Sequence, residues 1–317
     1  MRNFSFMTFV AIFIAVAVFS CEKKPKPDKP DGPVVTNPND TTGGGSTGGG
    51  TESDVFVSKK VETSTFLLEE LTGIDCGYCP DGHKMADKLA AITFPEKFFI
   101  INVHDGSYSI PRQSQPADLR TDYGSAIRTY SNLTGFPAGM INRSVFPAPW
   151  QQKTGSPAMS RGSWEAAAMS IANNTTYVNV AAKTTISSAE RTLICKVQVY
   201  YTSDAPVVAN NINVAILQNE IIAGQSGGQT YYPERVTPDG KYRHMHVLRH
   251  LVTGQWGEQI DSDMKKDDLY EKTFTWTIPG DIKTIPIPLE DLEILVFVTE
   301  GMAAPVAKVC KSTIEIK

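Results

Sequence analysis

The sequence predicts an α/β region followed by an all-β region. Between residues 55 and 173, strand-like apolar runs at residues 66–68 and 98–103 alternate with helical patterns, which is typical of α/β folds. Between residues 174 and 317, alternating or apolar segments are separated by turn residues, and helical patterns are nearly absent. This change of period predicts a second domain built as an antiparallel β-sandwich.

Short turn motifs separate the predicted strands of the second region. Pro238-Asp239-Gly240 and Pro279-Gly280 are two of them, and they end strands because proline lacks an N–H donor and glycine adopts turn conformations. The predicted strands cover residues 177–184, 192–201, 211–218, 244–252, 272–278, 292–299 and 303–316.

The N-terminus carries a targeting pattern. Arg2 precedes an apolar run over residues 6–19 that is too short and too early for an ordinary membrane span, and the run ends at Ser20-Cys21. This arrangement resembles the lipobox of bacterial lipoproteins, in which the cysteine is acylated. We therefore predict a signal peptide over residues 1–21 with Cys21 as the lipidation site. An uncleaved anchor with an incidental cysteine is the alternative.

Residues 22–54 have the composition of a linker. They are rich in lysine, proline, threonine and glycine, and contain almost nothing that could build a core. A flexible chain of this length spans about 30 Å, enough to hold a folded domain clear of the lipid head groups. The formal net charge of −4 and the lack of a basic stripe argue against a nucleic-acid partner.

The strongest chemical motif is Cys76-Gly77-Tyr78-Cys79, which follows an apolar run and precedes a helical pattern. At a helix N-terminus, unpaired N–H groups and the helix dipole stabilise the thiolate of the first cysteine. Cys79, one turn further, would then resolve a mixed disulfide. Two alternatives remain: a purely structural disulfide in an exported protein, and a zinc site, although zinc normally requires a second ligand pair.

The surroundings of these cysteines resemble a thioredoxin-like domain. Residues 66–76 are similar to its first core strand and the loop into its active-site helix. The resemblance implies that Glu70 is a buried carboxylate that relays protons. It also implies that Pro137, in Gly135-Phe136-Pro137, is a cis-proline facing the cysteines and shaping the groove for the partner chain.

Departures from the thioredoxin pattern are informative. Asp75 stands where thioredoxins usually have tryptophan, and a carboxylate beside Cys76 disfavours its thiolate. Residues 105–132 form an insertion with a predicted helix over residues 123–130, and residues 163–172 correspond to the closing helix.

The histidines and the two further cysteines of the second region each allow two interpretations. On one strand His244 and His246 would project to the same face, which suits either two metal ligands, with His250 nearby, or a hydrogen-bonded structural pair. Cys195 is interpreted as a buried core residue, and a disulfide with Cys310 is the alternative in an oxidising envelope.

The order of signal, linker, Cys-Gly-Tyr-Cys domain and sandwich resembles the Omp-twenty-eight-related family of bacterial outer-membrane lipoproteins. His104, Asn142-Arg143 and the run from His244 to Arg249 also fit this family. Membership implies a thioredoxin-like domain, an immunoglobulin-like sandwich and anchoring to the outer membrane through lipid. Which face of the membrane carries the protein stays open.

These observations lead to an expected function. We expect a membrane-tethered lipoprotein that exchanges thiols and disulfides on other envelope proteins, with Cys76 attacking and Cys79 resolving, and without a cofactor. The rival expectation is a binding or adhesion lipoprotein whose Cys76–Cys79 bridge is structural.

Overall fold

The computed structural model describes residues 54–317, so the predicted signal peptide, Cys21 and the linker up to residue 53 lie outside the described residues. The four helices of this part are α1 (Cys79–Lys88), α2 (Gly124–Ser131), α3 (Trp164–Ile171) and α4 (Gly228–Tyr231). The strands are β1 (Phe66–Thr72), β2 (Phe98–His104), β3 (Ala138–Ile141), β4 (Val178–Ser187), β5 (Thr192–Tyr201), β6 (Asn211–Gln218), β7 (Ile221–Ala223), β8 (Tyr242–His244), β9 (Val247–Leu251), β10 (Glu258–Gln259), β11 (Leu269–Thr277), β12 (Asp281–Ile282), β13 (Ile285–Pro286), β14 (Leu292–Thr299), β15 (Val306–Lys311) and β16 (Thr313–Ile316).

Strands of both sequence regions share one eight-stranded sheet. Its order is β15-β14-β6-β9-β2-β1-β3, and β10 pairs with β6. The regions meet where β2 runs parallel to β9, with Asn102 opposite Val247. There the Asn102 amide donates to the His246 carbonyl oxygen at 2.8 Å, and its side-chain Nδ2 donates to the Met245 carbonyl oxygen at 2.8 Å.

Strands after residue 174 therefore also pair with strands of the first region, across the boundary between the two predicted domains. The physical reason lies in β6 and β14, in which every residue is buried, so that both faces need a packing partner. A second sheet, β11-β5-β4-β16, covers one face of these two strands. Their other face shares a core with β1, β2 and α2.

The helices of the first region lie on the sheet where the sequence predicts them. The predicted helices over residues 123–130 and 163–172 correspond to α2 and α3. α1 and α3 pack against β1 and β2 through a core that includes Phe66, Leu68, Leu89 and Trp164. The described residues thus form a mixed α/β protein in which strands predominate. The thioredoxin-like and immunoglobulin-like folds remain expectations from the resemblance.

The predicted strand over residues 244–252 is in fact two strands. β8 ends at His244 and β9 begins at Val247, because His246 has a left-handed backbone with φ of 53°. A residue in that conformation interrupts the regular alternation of side chains. The expectation that His244 and His246 lie on the same face of one strand is therefore wrong.

Candidate functional site

Cys76 and Cys79 form a disulfide between the end of β1 and the start of α1. α1 begins at Cys79, so Cys76 lies in the turn that precedes the helix, where its carbonyl oxygen accepts from the Cys79 amide at 3.3 Å. Cys76 is only 3% exposed and Cys79 is fully buried. The bridge thus sits at the helix start, as the spacing predicts, but beneath other parts of the chain.

Glu70 lies on β1 with its carboxyl group fully buried. Neither of its oxygens has a hydrogen-bond partner among the described residues. Burial disfavours the charged form, so the pKa of Glu70 is raised well above its usual range. A side chain in this state keeps its proton to a higher pH than an exposed glutamate does and can exchange it with a neighbour.

Gly82 is the point at which α1 meets both Glu70 and Pro137. A Cβ atom at this position would overlap Glu70 Oε1 and would lie 3.1 Å from Cβ of Pro137. Only glycine therefore allows the helix to approach this closely. The Phe136–Pro137 bond is cis, as the resemblance implied, and Pro137 directly precedes β3, which pairs antiparallel with β1. The structure thus brings together Pro137, Glu70 and the helix that carries the disulfide.

His83 is a buried residue of this site that the sequence interpretation missed. Its Nε2 atom lies 3.0 Å from Thr72 Oγ1 and 3.9 Å from Glu70 Oε1, while Nδ1 lies 3.0 Å from the Tyr242 hydroxyl. Burial lowers the pKa of His83 well below its usual range, so the imidazole is neutral at physiological pH. Its position four residues after Cys79 was the available signal, because residues i and i+4 share a helix face.

Residues 224–235, here called the cap segment, cover the disulfide from the second region of the sequence. The Ser226 amide donates to the Ile74 carbonyl oxygen at 2.8 Å. Gln225 Nε2 donates to the carbonyl oxygens of Gly73, at 3.2 Å, and Cys76, at 3.0 Å. The cap segment therefore binds the backbone of the loop that carries the first cysteine.

Further contacts extend the cap segment across Gly77, Tyr78 and α1. Gly227, with φ of 75°, packs so closely on Gly77 that a Cβ atom would overlap the Gly77 carbonyl oxygen. The Tyr231 and Tyr78 rings lie 5.3 Å apart between centroids. The Tyr232 hydroxyl donates to Asp87 Oδ2 at 2.7 Å. Both residues between the cysteines thus contact the cap segment.

Asp75 is neutralised by a nearby cation. Its Oδ2 atom lies 2.7 Å from Arg112 Nη2, and its Oδ1 atom accepts from Ser226 Oγ at 3.1 Å. The predicted repulsion between this carboxylate and a Cys76 thiolate is therefore opposed by the Arg112 guanidinium.

The histidines of the second region have separate partners. His246 Nδ1 lies 2.7 Å from Glu293 Oε2, and this pairing together with Lys311 lowers the pKa of the otherwise desolvated Glu293 to about 2. The His244 ring instead lies 5.6 Å from that of His104, and burial lowers the pKa of His244 to about 4. Residues 54–317 contain no group of three or more potential metal-binding side chains.

Cys195 and Cys310 are free thiols, so the alternative prediction of a disulfide between them is wrong. Cys195 is buried in the core between the sheets, as predicted, and Cys310 packs against the same core. Burial raises the pKa of the Cys310 thiol to about 12, with a further contribution from neighbouring Cys195. Both thiols are therefore poor nucleophiles.

Together these features define a β-rich α/β protein with a buried Cys-x-x-Cys disulfide at the start of a helix. The family model described as Outer membrane protein Omp28 matches residues 124–317, more than half of the chain, and the protein belongs to this family. The predicted membership and outer-membrane localisation are thus confirmed. The matched range begins after the disulfide, so membership by itself assigns it no role.

Three solved structures are similar to this chain to different extents. HBP35 of Porphyromonas gingivalis is 17% identical, with a TM-score of 0.58 over 80% of this chain and 76% of that chain. A domain of the outer membrane lipoprotein Omp28 from Porphyromonas gingivalis is 15% identical, with a TM-score of 0.31 over 45% of this chain and 91% of that domain. A protein from Agrobacterium tumefaciens is 9% identical, with a TM-score of 0.47 over 79% of this chain and 94% of that chain.

The similarity to HBP35 shows a shared fold. No curated protein matches the chain significantly. None of the helices between residues 54 and 317 combines the length and the hydrophobicity needed to cross a bilayer.

Proposed function

We propose that this outer-membrane lipoprotein exchanges thiols and disulfides on other envelope proteins through a thioredoxin-like site at Cys76 and Cys79. The observation that carries the proposal is the meeting of three elements at Gly82: the helix of the disulfide, the carboxyl group of Glu70, which lacks a hydrogen-bond partner among the described residues, and Pro137. A structural bridge has no need of a buried carboxyl group that costs free energy to desolvate.

The first step of the proposed exchange uses Cys76. In the reduced protein, the Cys76 thiolate attacks a disulfide of the partner, which forms a Cys76–partner bond and releases one partner thiolate. Cys76 precedes α1, so the unpaired N–H groups at the start of that helix favour the thiolate.

The second step uses Cys79 and Glu70. In its ionised form, Glu70 takes the proton of the Cys79 thiol, and the resulting Cys79 thiolate attacks the Cys76 sulfur. This attack breaks the mixed disulfide, restores the Cys76–Cys79 bond and leaves the partner as a dithiol. The raised pKa of Glu70 suits this role, because burial makes its ionised carboxylate a stronger base than an exposed one.

Trapping of mixed disulfides tests the proposal. In cells that produce the full chain, Cys79→Ala should accumulate mixed disulfides with envelope proteins, because the resolving thiol is absent. Cys76→Ala is the matched control and should trap none, since the attacking thiol is lost. Equal trapping by both variants, or no trapping by either, would contradict the proposed roles.

One observation favours a second candidate function, a binding lipoprotein in which the bridge is structural. The disulfide is almost completely buried, with Cys76 only 3% exposed. A stabilising bridge needs no access, whereas an exchanging bridge must be reached by its partner. The exchange function therefore requires that the covering segment move.

A further inference from the structure

The cap segment is the first part of the long loop, residues 224–241, of a two-stranded hairpin. β7 and β8 pair antiparallel at its base, with Ala223 opposite Tyr242. The loop between these strands carries the donors that reach the Cys76 turn. A loop held at both ends by a short ladder can swing away without disturbing the strands that anchor it.

Polar contacts, rather than a deep apolar core, hold the cap segment on the disulfide. Gln225, Ser226 and Gly227 are half-buried, and Gln229 and Thr230 are exposed. Gln225 Nε2 and the Ser226 amide donate to backbone carbonyl oxygens of residues 73, 74 and 76, and Ser226 Oγ donates to Asp75. Tyr232 and Arg235 bind Asp87 of α1. Since each such hydrogen bond shifts an opening equilibrium by only roughly fivefold, the segment can open far more often than the sheet unfolds.

We propose that the cap segment is a lid that closes the Cys76–Cys79 site and that a partner protein must replace it. This inference rests on the proposed exchange function and adds the regulation of the site and the form of the partner. Opening leaves the Ile74 carbonyl oxygen without its donor and leaves the Cys76 carbonyl oxygen with only the 3.3 Å bond from the Cys79 amide. The partner is therefore an extended polypeptide segment whose N–H groups bind these oxygens while its cysteine reaches Cys76.

Gly227→Ala in the full chain is the sharpest test of the lid. A Cβ atom would overlap the Gly77 backbone, so the substitution should hold the lid open. Gly240→Ala is the matched control, because Gly240 has nearly the same φ, 76° against 75°, but no atom lies within 4 Å of its Cβ position. The two variants share the backbone strain of alanine at positive φ and differ in the contact.

The measured quantity is the rate at which dithiothreitol reduces the disulfide. One dithiothreitol thiolate attacks Cys76 and releases the Cys79 thiolate. The second dithiothreitol thiol then closes a cyclic disulfide, which leaves Cys76 and Cys79 as two thiols. Gly227→Ala should raise this rate at least about tenfold, because several hydrogen bonds that hold the closed state are lost. Gly240→Ala should leave it unchanged. An unchanged rate in Gly227→Ala, or equal acceleration in both variants, would contradict the proposal that the cap segment is a lid.

Gln225→Ala supplies a second test if Gly227→Ala fails to fold. It removes the two side-chain bonds to Gly73 and Cys76 and should accelerate reduction by roughly fivefold for each bond, about 25-fold together. The Ser226 amide should then exchange its hydrogen faster while the Ile216 amide of β6 keeps its protection; equal loosening of both would mean general destabilisation and would count against the lid. Dithiothreitol needs no partner protein, so these results are independent of mixed-disulfide trapping.

Discussion

Glu69 and Glu70 are adjacent buried carboxyl groups on β1, but their surroundings are opposite. Consecutive side chains of a strand point to opposite faces of the sheet. On one face, Glu69 receives two hydrogen bonds of 2.7 Å from Arg143, whose guanidinium also lies 5.2 Å from the Trp256 ring. On the other face, Glu70 lies beneath α1 without a hydrogen-bond partner among the described residues.

This difference distinguishes Glu69, a carboxyl group with a structural role, from Glu70, the candidate for proton transfer. The charge of Glu69 is matched by a buried, bidentate guanidinium, which fixes both side chains. Glu70 has no such match, so burial favours its protonated form and the carboxyl group can take part in proton transfer. The carboxyl group that stabilises the fold and the one proposed to act in exchange are therefore consecutive residues.

Glu69→Gln should have the largest effect on stability. The substitution leaves Arg143 as an unpaired buried charge, which typically costs about 3–5 kcal/mol. Urea unfolding at pH 7 measures this loss. A double variant, Glu69→Met with Arg143→Met, should recover much of it because both charges are gone. If the single variant loses less than about 1 kcal/mol of unfolding free energy, the Glu69–Arg143 pair does not stabilise the fold as we expect.

Glu70→Gln should change the dependence of stability on pH. A carboxyl group whose folded pKa is raised binds its proton more tightly in the folded state, so the parent protein loses stability as pH rises above the unfolded value of 4.5 towards the folded pKa. The variant lacks this loss, which amounts to about 1.4 kcal/mol per pH unit within that range.

Denaturant unfolding between pH 5 and pH 8 checks the Glu70 prediction. The variant should gain stability relative to the parent as the pH increases. Glu190→Gln, in the exposed turn between β4 and β5, is the control and should follow the parent profile. Identical profiles for Glu70→Gln and the parent would mean that Glu70 does not carry a raised pKa.

Asp75→Asn should have the smallest effect. Arg112 already offsets the Asp75 carboxylate, so alkylation of reduced Cys76 near neutral pH should rise by less than about twofold. Arg112→Ala should instead slow alkylation, because it exposes Cys76 to an uncompensated carboxylate. A charge effect fades at high pH, where the thiol is ionised in both forms. A rate increase that persists there would indicate that opening of the lid has changed instead.

Local sequence patterns predicted much of the secondary structure. β5, β6 and β14 have the predicted bounds, because their apolar runs end at clear turn residues. The sequence patterns did not indicate that strands of both regions share one sheet. The nearly continuous apolar character of β14 did, however, indicate burial on both faces. The i, i+4, i+7 spacing of Met85, Leu89 and Ile92 predicts a buried helical stripe, but Ile92 is 73% exposed because a π-helical turn over Leu89–Thr93 rotates the helix face.

The candidate site was only partly accessible from sequence. The cysteine spacing and the resemblance to thioredoxins indicated Cys76, Cys79, Glu70 and Pro137. The cap segment was not indicated, because Ser226 meets Asp75 across 151 positions of the chain and glycine, serine and glutamine carry no periodic signal. Long-range contacts of this kind are set by tertiary packing, which single-residue propensities do not encode.

The reduction potential of the Cys76–Cys79 pair tests the exchange function most directly. The full chain would be equilibrated in dithiothreitol or glutathione buffers, and the thiols would be quantified by alkylation, with Cys195→Ala and Cys310→Ala removing the other two free thiols described. Structural disulfides lie below about −300 mV, whereas exchanging pairs lie higher. We expect a potential above about −300 mV, within the range of thiol–disulfide exchange proteins. A value well below that threshold would contradict the exchange function and would make the bridge a structural one.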